Sequence, residues 1–311
     1  MHSSLIQVFD KTYELCDQIQ IRDYERASYE RLCAEVFPGL SFEKWYQAGY
    51  WSDLFNPHVL KDGDDIVSAI SVNKMNIQIG NNKPRLYIQL GGVMTSKSYR
   101  NQGLSTALMD KILTDWDDKC DGFYLVAHEG VKDFYPRFGF KTVDEYQYYR
   151  DIKSDSDDNK AIRLDMNSKK DVNLLIEHFK LGNPFSLLNI QNLGLLMFYC
   201  MKYNKNDVYY IEEDDAIAIV GYENENIVLY DIFCKSNSSF ENILASIVRE
   251  NTERIFFGFP LIKTKHCKIA KCKEEDNILF VLDKSESGSL ADFLHIPEYS
   301  NKIMMPLLTH T

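Results

Sequence analysis

The 311-residue chain has no GxGxxG fingerprint and no Gly-Lys-Ser/Thr loop after a strand, which excludes the dinucleotide and Walker-type phosphate turns. It has no paired CxxC either. Its seven cysteines, Cys16, Cys33, Cys120, Cys200, Cys234, Cys267 and Cys272, are odd in number and scattered, so neither a disulfide framework nor a zinc site is expected and they read as reduced thiols. Basic excess is missing as well. With 35 Lys and Arg against 46 Asp and Glu, the formal charge of −11 argues against nucleic acid or an anionic membrane as partner and favours a cationic substrate. Long apolar runs are scarce. Only Pro184 to Met201 approaches spanning length without a charge, and its two Asn, Gln, Ser and Pro make it a poor span and a better buried helix. No basic segment followed by an apolar core opens the chain, so no secretory signal is expected and the protein is read as cytoplasmic. No heptads mark an oligomer interface, and no metal site, nucleophilic triad or partnered nucleophilic cysteine is visible.

What is present is concentrated between Leu90 and Met109, LGGVMTSKSYRNQGLSTALM, where a buried strand runs into a basic, glycine-containing turn and then an amphipathic helix. Gly103 permits a tight turn, and the first free N–H groups of the following helix point outward with the positive end of its dipole, a cradle for a pyrophosphate. Leu104, Ala107, Leu108, Ile112, Leu113 and Trp116 recur at helical spacing, so one helix face is fixed against a sheet while its N-terminus faces ligand. Lys97, Arg100, Lys132 and Arg137 would supply local positive charge in an acidic chain, Arg100 foremost.

Arg100-Asn101-Gln102-Gly103-Leu104-Ser105 resembles the Arg/Gln-x-x-Gly-x-Gly/Ala signature of the Gcn5-related N-acetyltransferases (GNAT), with Ser105 at the position usually held by Gly or Ala. Phe134-Tyr135-Pro136-Arg137-Phe138-Gly139-Phe140 is similar to that family's Tyr-x-x-x-Gly-Phe segment, and His128 stands where an Asn is customary seven residues before the tyrosine. The resemblance implies an α/β fold of the acyl-CoA N-acyltransferase type with a mixed α+β sheet, and acetyl-coenzyme A as cosubstrate without a metal. It places Val93, Met94 and Thr95 along the pantetheine arm through main-chain bonds, and Arg100, Asn101, Gln102, Gly103, Leu104 and Ser105 around the diphosphate. Tyr135 would be the general acid that protonates the leaving thiolate.

The length fits two domains. A helix over Gln20 to Phe37, a meander of strands at Ile66–Val72, Lys74–Ile79 and Arg85–Thr95, the cradle and its helix, a strand at Phe123–Val126, the tyrosine turn and a strand at Lys141–Tyr149 give a coenzyme-binding domain over residues 1 to 150. An acidic linker follows at 151 to 160. From 161 to 311 the order recurs: helices near Asp171–Lys180 and in the apolar run, strands at Val208–Ile211, Ala216–Tyr222 and Ile227–Cys234, a helix at Phe240–Asn251, and strands at Arg254–Phe259, Lys268–Lys273 and Ile278–Leu282. This resembles a second, degenerate GNAT-like domain of a tandem type, because Lys235-Ser236-Asn237-Ser238-Ser239 lacks the basic residue and the glycine of the first cradle.

The expected reaction is transfer of the acetyl group to a primary amine of a small, cationic molecule, directly and through a tetrahedral intermediate. Acetylation of a protein or peptide amine, or a non-catalytic acyl-coenzyme A sensor, are the alternatives. Asp53, His58, His128 and Glu129 compete as general base. In the tandem family the terminal carboxylate reaches the active site, which makes Thr311, at the end of an apolar tail Met304-Met305-Pro306-Leu307-Leu308-Thr309-His310-Thr311, a further candidate. Trp45, Tyr46, Tyr50, Trp51, Phe55 and His58 are the aromatic cluster from which an acceptor pocket would be built.

Overall fold

A computed structural model describes residues 3–152, 160–272, 277–284, 290 and 304–310. In chain order, the first half contains β1 (Ser3–Val8), β2 (Lys11–Cys16), α1 (Asp23–Val36), α2 (Glu43–Gln47), β3 (Phe55–Asp62), β4 (Asp65–Ile79), β5 (Arg85–Thr95), α3 (Leu104–Asp115), β6 (Gly122–His128), β7 (Lys141–Val143) and β8 (Tyr146–Asp151). The second half adds β9 (Ile162–Arg163), α4 (Lys169–Phe179), β10 (Leu188–Ile190), α5 (Leu193–Lys202), β11 (Val208–Ile211), β12 (Ala216–Glu223), β13 (Asn226–Phe233), α6 (Phe240–Ile247), β14 (Arg254–Phe257), β15 (Lys268–Lys271) and β16 (Asn277–Asp283). The fold is mixed α/β with two mixed sheets.

The first sheet runs β1-β2-β3-β4-β5-β6-β16-β7, with β10 continuing the β3 side of β4. Alternation along its strands feeds two helical layers. Val59 and Ala69 face α1, whose Tyr29, Leu32 and Cys33 are buried. Leu60, Val67, Ile70 and Ile88 face α3, whose Leu104, Leu108, Met109 and Ile112 are buried at helical spacing.

The second sheet runs β15-β8-β14-β13-β12-β11-β9, with α6 against β13 and β14. Strands are exchanged between the two. β16, from the end of the chain, lies antiparallel between β6 and β7, while β8, from the first half, lies antiparallel between β14 and β15. The strand expected over Lys141–Tyr149 is therefore two strands in two sheets, and the expected division at residue 150 falls inside β8. Of the expected linker 151–160, Asp151 ends β8 and pairs with Arg254 and Lys268, and residues 153–159 lie outside the described residues. One apolar core runs across both halves, joining Phe42, Trp45 and Trp51 to Leu196, Met197, Phe198 and Cys200.

Two further expectations change. Ile66–Val72 and Lys74–Ile79 form the single long β4, paired on one side with β3, which pattern reading passed over, and on the other with β5. The apolar run becomes β10 and then α5, which starts at an Asn192 cap whose Oδ1 accepts the Leu195 N–H at 3.0 Å. No helix among the described residues is long and apolar enough to cross a membrane.

Candidate active site

The predicted cradle is a left-handed turn. Asn101 has φ of 62° and Gly103 φ of 77°, and Gly103 caps α3 without any side-chain hydrogen bond, so the first N–H groups of α3 meet no side-chain cap among the described residues. A helix N-terminus in this state suits an anion. Leu104 is buried, which anchors the turn, while Asn101 and Gln102 are exposed and Ser105 is half-buried. The Ser105 hydroxyl lies 2.7 Å from Thr95 Oγ1, tying the helix start to the end of β5. Arg100 is exposed, and its Nε donates to the Thr95 carbonyl at 3.3 Å, which holds the guanidinium beside the turn. Of the other cations expected here, Lys132 is paired with Glu129 at 3.0 Å.

A residue that pattern reading missed covers this turn. Phe9, at the tip of the β1–β2 hairpin, has φ of 52° and is 76% exposed, yet a Cβ built on Gly103 would lie 2.9 Å from its Cε2. The hairpin is fastened there by Asp62, which accepts from Lys11 and, at 2.7 Å, from the Tyr99 hydroxyl.

Beside the cradle, β5 parts from β6. Parallel pairing of β5 with β6 covers Tyr87, Ile88 and Gln89 and ends there, although both strands continue. The β6-side edge of Leu90 to Thr95 is thus without a strand partner among the described residues, and an extended chain can add to it by main-chain hydrogen bonds. A bulge explains the divergence. Between Ala69 and Ser71 of β4 the register with β5 slips by one residue, and Gly92 takes φ of 53°. Val93 and Thr95 are half-buried, and Met94 is buried toward α1.

Tyr135 follows β6 on a short 3-10 turn ended by Gly139 in the left-handed region, φ of 89°. It is 5% exposed, with its ring centroid 5.1 Å from Phe280 of β16 and 5.2 Å from Phe134. Burial pushes its hydroxyl up to about 12, so it is a phenol at neutral pH. The exchanged strand therefore sets the position of this tyrosine.

A cavity of about 520 Å³ opens at Gly91 and Gly92 on the bulge. Ser71 and Asn73 of β4 line its floor, the segment from Phe37 to Phe55 one wall, and α5 the other. The walls come from both halves and are locked together: Trp45 Nε1 donates to the Gly194 carbonyl at 2.8 Å, and a Cβ on Gly194 would stand 2.8 Å from the Tyr50 carbonyl oxygen. Phe42 stacks on Phe198 with centroids 5.3 Å apart, and Trp45 meets Phe55 edge-on at 5.3 Å. Of the expected aromatic cluster, Trp45 and Phe55 line the cavity, Trp51 backs them, and Tyr46 packs under the Arg26 guanidinium at 3.8 Å.

The chain's tail docks here. Met304, Met305 and Leu308 are buried, Leu307 N donates to the Gly258 carbonyl at 2.8 Å, and Met305 N donates to Glu145 Oε1 at 2.7 Å. His310 lines the cavity and sits 3.4 Å from Glu145 Oε1 through Nε2. Thr311 lies outside the described residues. None of the four bases suggested by sequence lines the cavity. Asp53 and Glu129 are exposed, Glu129 on Lys132; His128 Nδ1 accepts the Gly130 N–H at 3.0 Å and caps a 3-10 turn. His58 is buried in β3 close to Asp17, Asp115 and Lys111, and burial lowers its pKa.

The corresponding region of the second half is filled by the chain itself. Ser239 caps α6, its own N–H is taken by Asp214 Oδ1 at 3.0 Å, and a carboxylate thus stands where the first cradle leaves room for an anion. Beyond the parallel pairing of β13 with β14, Cys234 N donates to Gly182 O, Leu187 N to Pro260 O, and the tail seats on Gly258.

Two mixed sheets, a bulged β5 parting from β6, and a helix N-terminus at the mouth of the parting define the acyl-CoA N-acyltransferase fold, here in two domains. A family model described as an acetyltransferase (GNAT) domain matches residues 20–143. Solved structures agree in fold. A GCN5-related N-acetyltransferase from Kribbella flavida superposes with a TM-score of 0.53 at 13% identity, over 86% of this chain and 71% of that one. Eis1 from Mycobacterium abscessus gives 0.55 at 13% identity over 86% and 72%, and a conserved protein of unknown function from Enterococcus faecalis V583 gives 0.56 at 13% over 86% and 72%. A search of curated protein sequences finds no match.

Proposed function

We propose that the protein moves the acetyl group of acetyl-coenzyme A directly to a primary amine of a small molecule, and that its second domain binds no coenzyme. The observation that carries this reading is the succession of the uncapped α3 terminus at Gly103, the open edge of Leu90 to Thr95, and a half-open cavity at Gly91 and Gly92. The residues present fit the coenzyme. Main-chain groups from Arg100 to Ser105 would hold its diphosphate with the Arg100 charge, and Val93 to Thr95 would bond the pantetheine arm as an added strand.

In the transfer, the amine lone pair attacks the thioester carbonyl carbon. The new C–N bond forms, the C–S bond breaks, and the proton lost by nitrogen goes to a base while the departing sulfur takes one from the Tyr135 hydroxyl. The buried Tyr135 hydroxyl stays protonated at neutral pH and can therefore supply that proton. We assign the base to His310, which lines the cavity, with Glu145 Oε1 3.4 Å from its Nε2 to orient the ring.

Incubation with acetyl-coenzyme A and a panel of amines, following free thiol and N-acetylated product, tests the reading. Equal amounts of thiol and product with a small amine are expected. Saturable coenzyme binding without thiol release from any amine would make the protein a sensor, and release with peptide amines alone would move the activity to proteins.

A further inference from the structure

We propose that the acceptor is a lipophilic monoamine, an aryl- or long-chain alkylamine, and not a polyamine or an aminoglycoside-like polycation. The inference rests on the transferase reading of the same cavity and adds what that cavity selects. At about 520 Å³ it has room for a molecule of that kind. Its walls are aromatic and aliphatic: Phe42, Trp45, Phe55, Leu195 and Phe198 are among them, and no Asp or Glu is among its described lining residues.

The charge accounting decides between acceptor classes. A polyamine such as spermidine brings two ammonium groups beyond the reacting one, and each loses its hydration at a cost unless a carboxylate meets it. Cation–π contact with the aromatic wall returns only part of that loss. The ammonium of Lys202, held 2.8 Å from the Gly39 carbonyl on the same wall, opposes further positive charge. A monoamine escapes this cost, because its single ammonium must shed its proton to react and the apolar surroundings favour the neutral form. The acidic exterior still draws the ammonium toward the protein.

The test uses the full-length chain with acetyl-coenzyme A and compares phenethylamine, tryptamine and octylamine with spermidine and kanamycin. Values of kcat/KM about tenfold or more higher for the lipophilic amines are expected, the difference left when ring contact returns only part of what an unpaired ammonium loses. Leu40 lines the same cavity from a loop. Leu40→Glu should shift the spermidine to phenethylamine ratio toward spermidine, and Leu40→Gln, similar in size and uncharged, should leave it near the original value. A polycation preferred by the unaltered protein, or a ratio indifferent to Leu40→Glu, overturns the inference while leaving the transferase reading intact. Calorimetric binding of phenethylamine in the presence of coenzyme A separates the other failure: saturable binding stronger than that of spermidine, with no thiol released from any amine, upholds the pocket's selectivity and removes the transferase.

Discussion

Gly103→Ala probes the cradle with one methyl group. Gly103 sits at φ of 77° and ψ of 5°, a conformation that costs an L-residue about 1 to 2 kcal/mol. The added Cβ would also stand 2.9 Å from Phe9 Cε2, but that ring is mostly exposed and can swing aside, so the backbone term dominates. If the turn keeps its shape in the free protein, the cost appears as lost stability. If the turn relaxes without ligand, the same energy must be supplied on binding, and coenzyme affinity falls by about 5- to 30-fold. The two losses should sum to about 1 to 2 kcal/mol, measured by denaturant unfolding and by calorimetric titration with acetyl-coenzyme A. Gly103→Asn should recover most of it, because Asn tolerates the left-handed region. An Ala variant unchanged in both measurements, or an Asn variant as impaired as Ala, would refute the cradle as drawn.

Tyr135→Phe removes the proton donor and leaves the packed ring, so turnover should fall by about 10²- to 10⁴-fold with coenzyme affinity nearly constant in the same titration. His310→Gln should lower kcat by about 10²-fold or more with coenzyme affinity nearly constant, and Glu145→Gln, which leaves the imidazole in place, should lower it less; rates equal to the original in both variants would exclude the pair. Phe280→Ala, at a fully buried ring against Tyr135, should cost about 3 to 5 kcal/mol in chemical unfolding and lower kcat as well. Asp231 is held by Asn183 at 2.7 Å, and burial pushes its carboxyl up to about 7. The folded form then keeps a proton that the unfolded chain loses near pH 4, so stability drops as pH rises from about 4 to about 7 and stays reduced above it. Asp231→Asn should flatten that decline in thermal unfolding, and a decline that persists would assign it to other groups.

The cradle was legible because its chemistry is local: a glycine, a basic turn and a helix with one apolar face lie within twenty positions. Tyr135 was legible for the same reason, from a turn closed by Gly139. Pairing partners were not. Tyr146 to Asp151 and Asn277 to Asp283 have ordinary strand sequences, and nothing in either says that each completes the other half's sheet. β3 was passed over because Pro57 interrupts it, which disfavours a central strand, although its neighbours pair fully with β4. The opposite wall of the acceptor cavity escaped for a related reason. Phe42, Phe198 and His310 are far apart in sequence, and an apolar run with no charge signals burial without naming what it is buried against. The hint that the sequence did offer was the aromatic cluster around Trp45 and Phe55, which supplies one wall.

Hydrogen–deuterium exchange with and without acetyl-coenzyme A tests the path itself. Slowed exchange is expected at the amides of Leu90 to Thr95 and Asn101 to Thr106, with the Ser238 to Asn242 amides of the second domain unaffected. Protection absent from the first two segments, or appearing at the second-domain turn instead, would contradict the account.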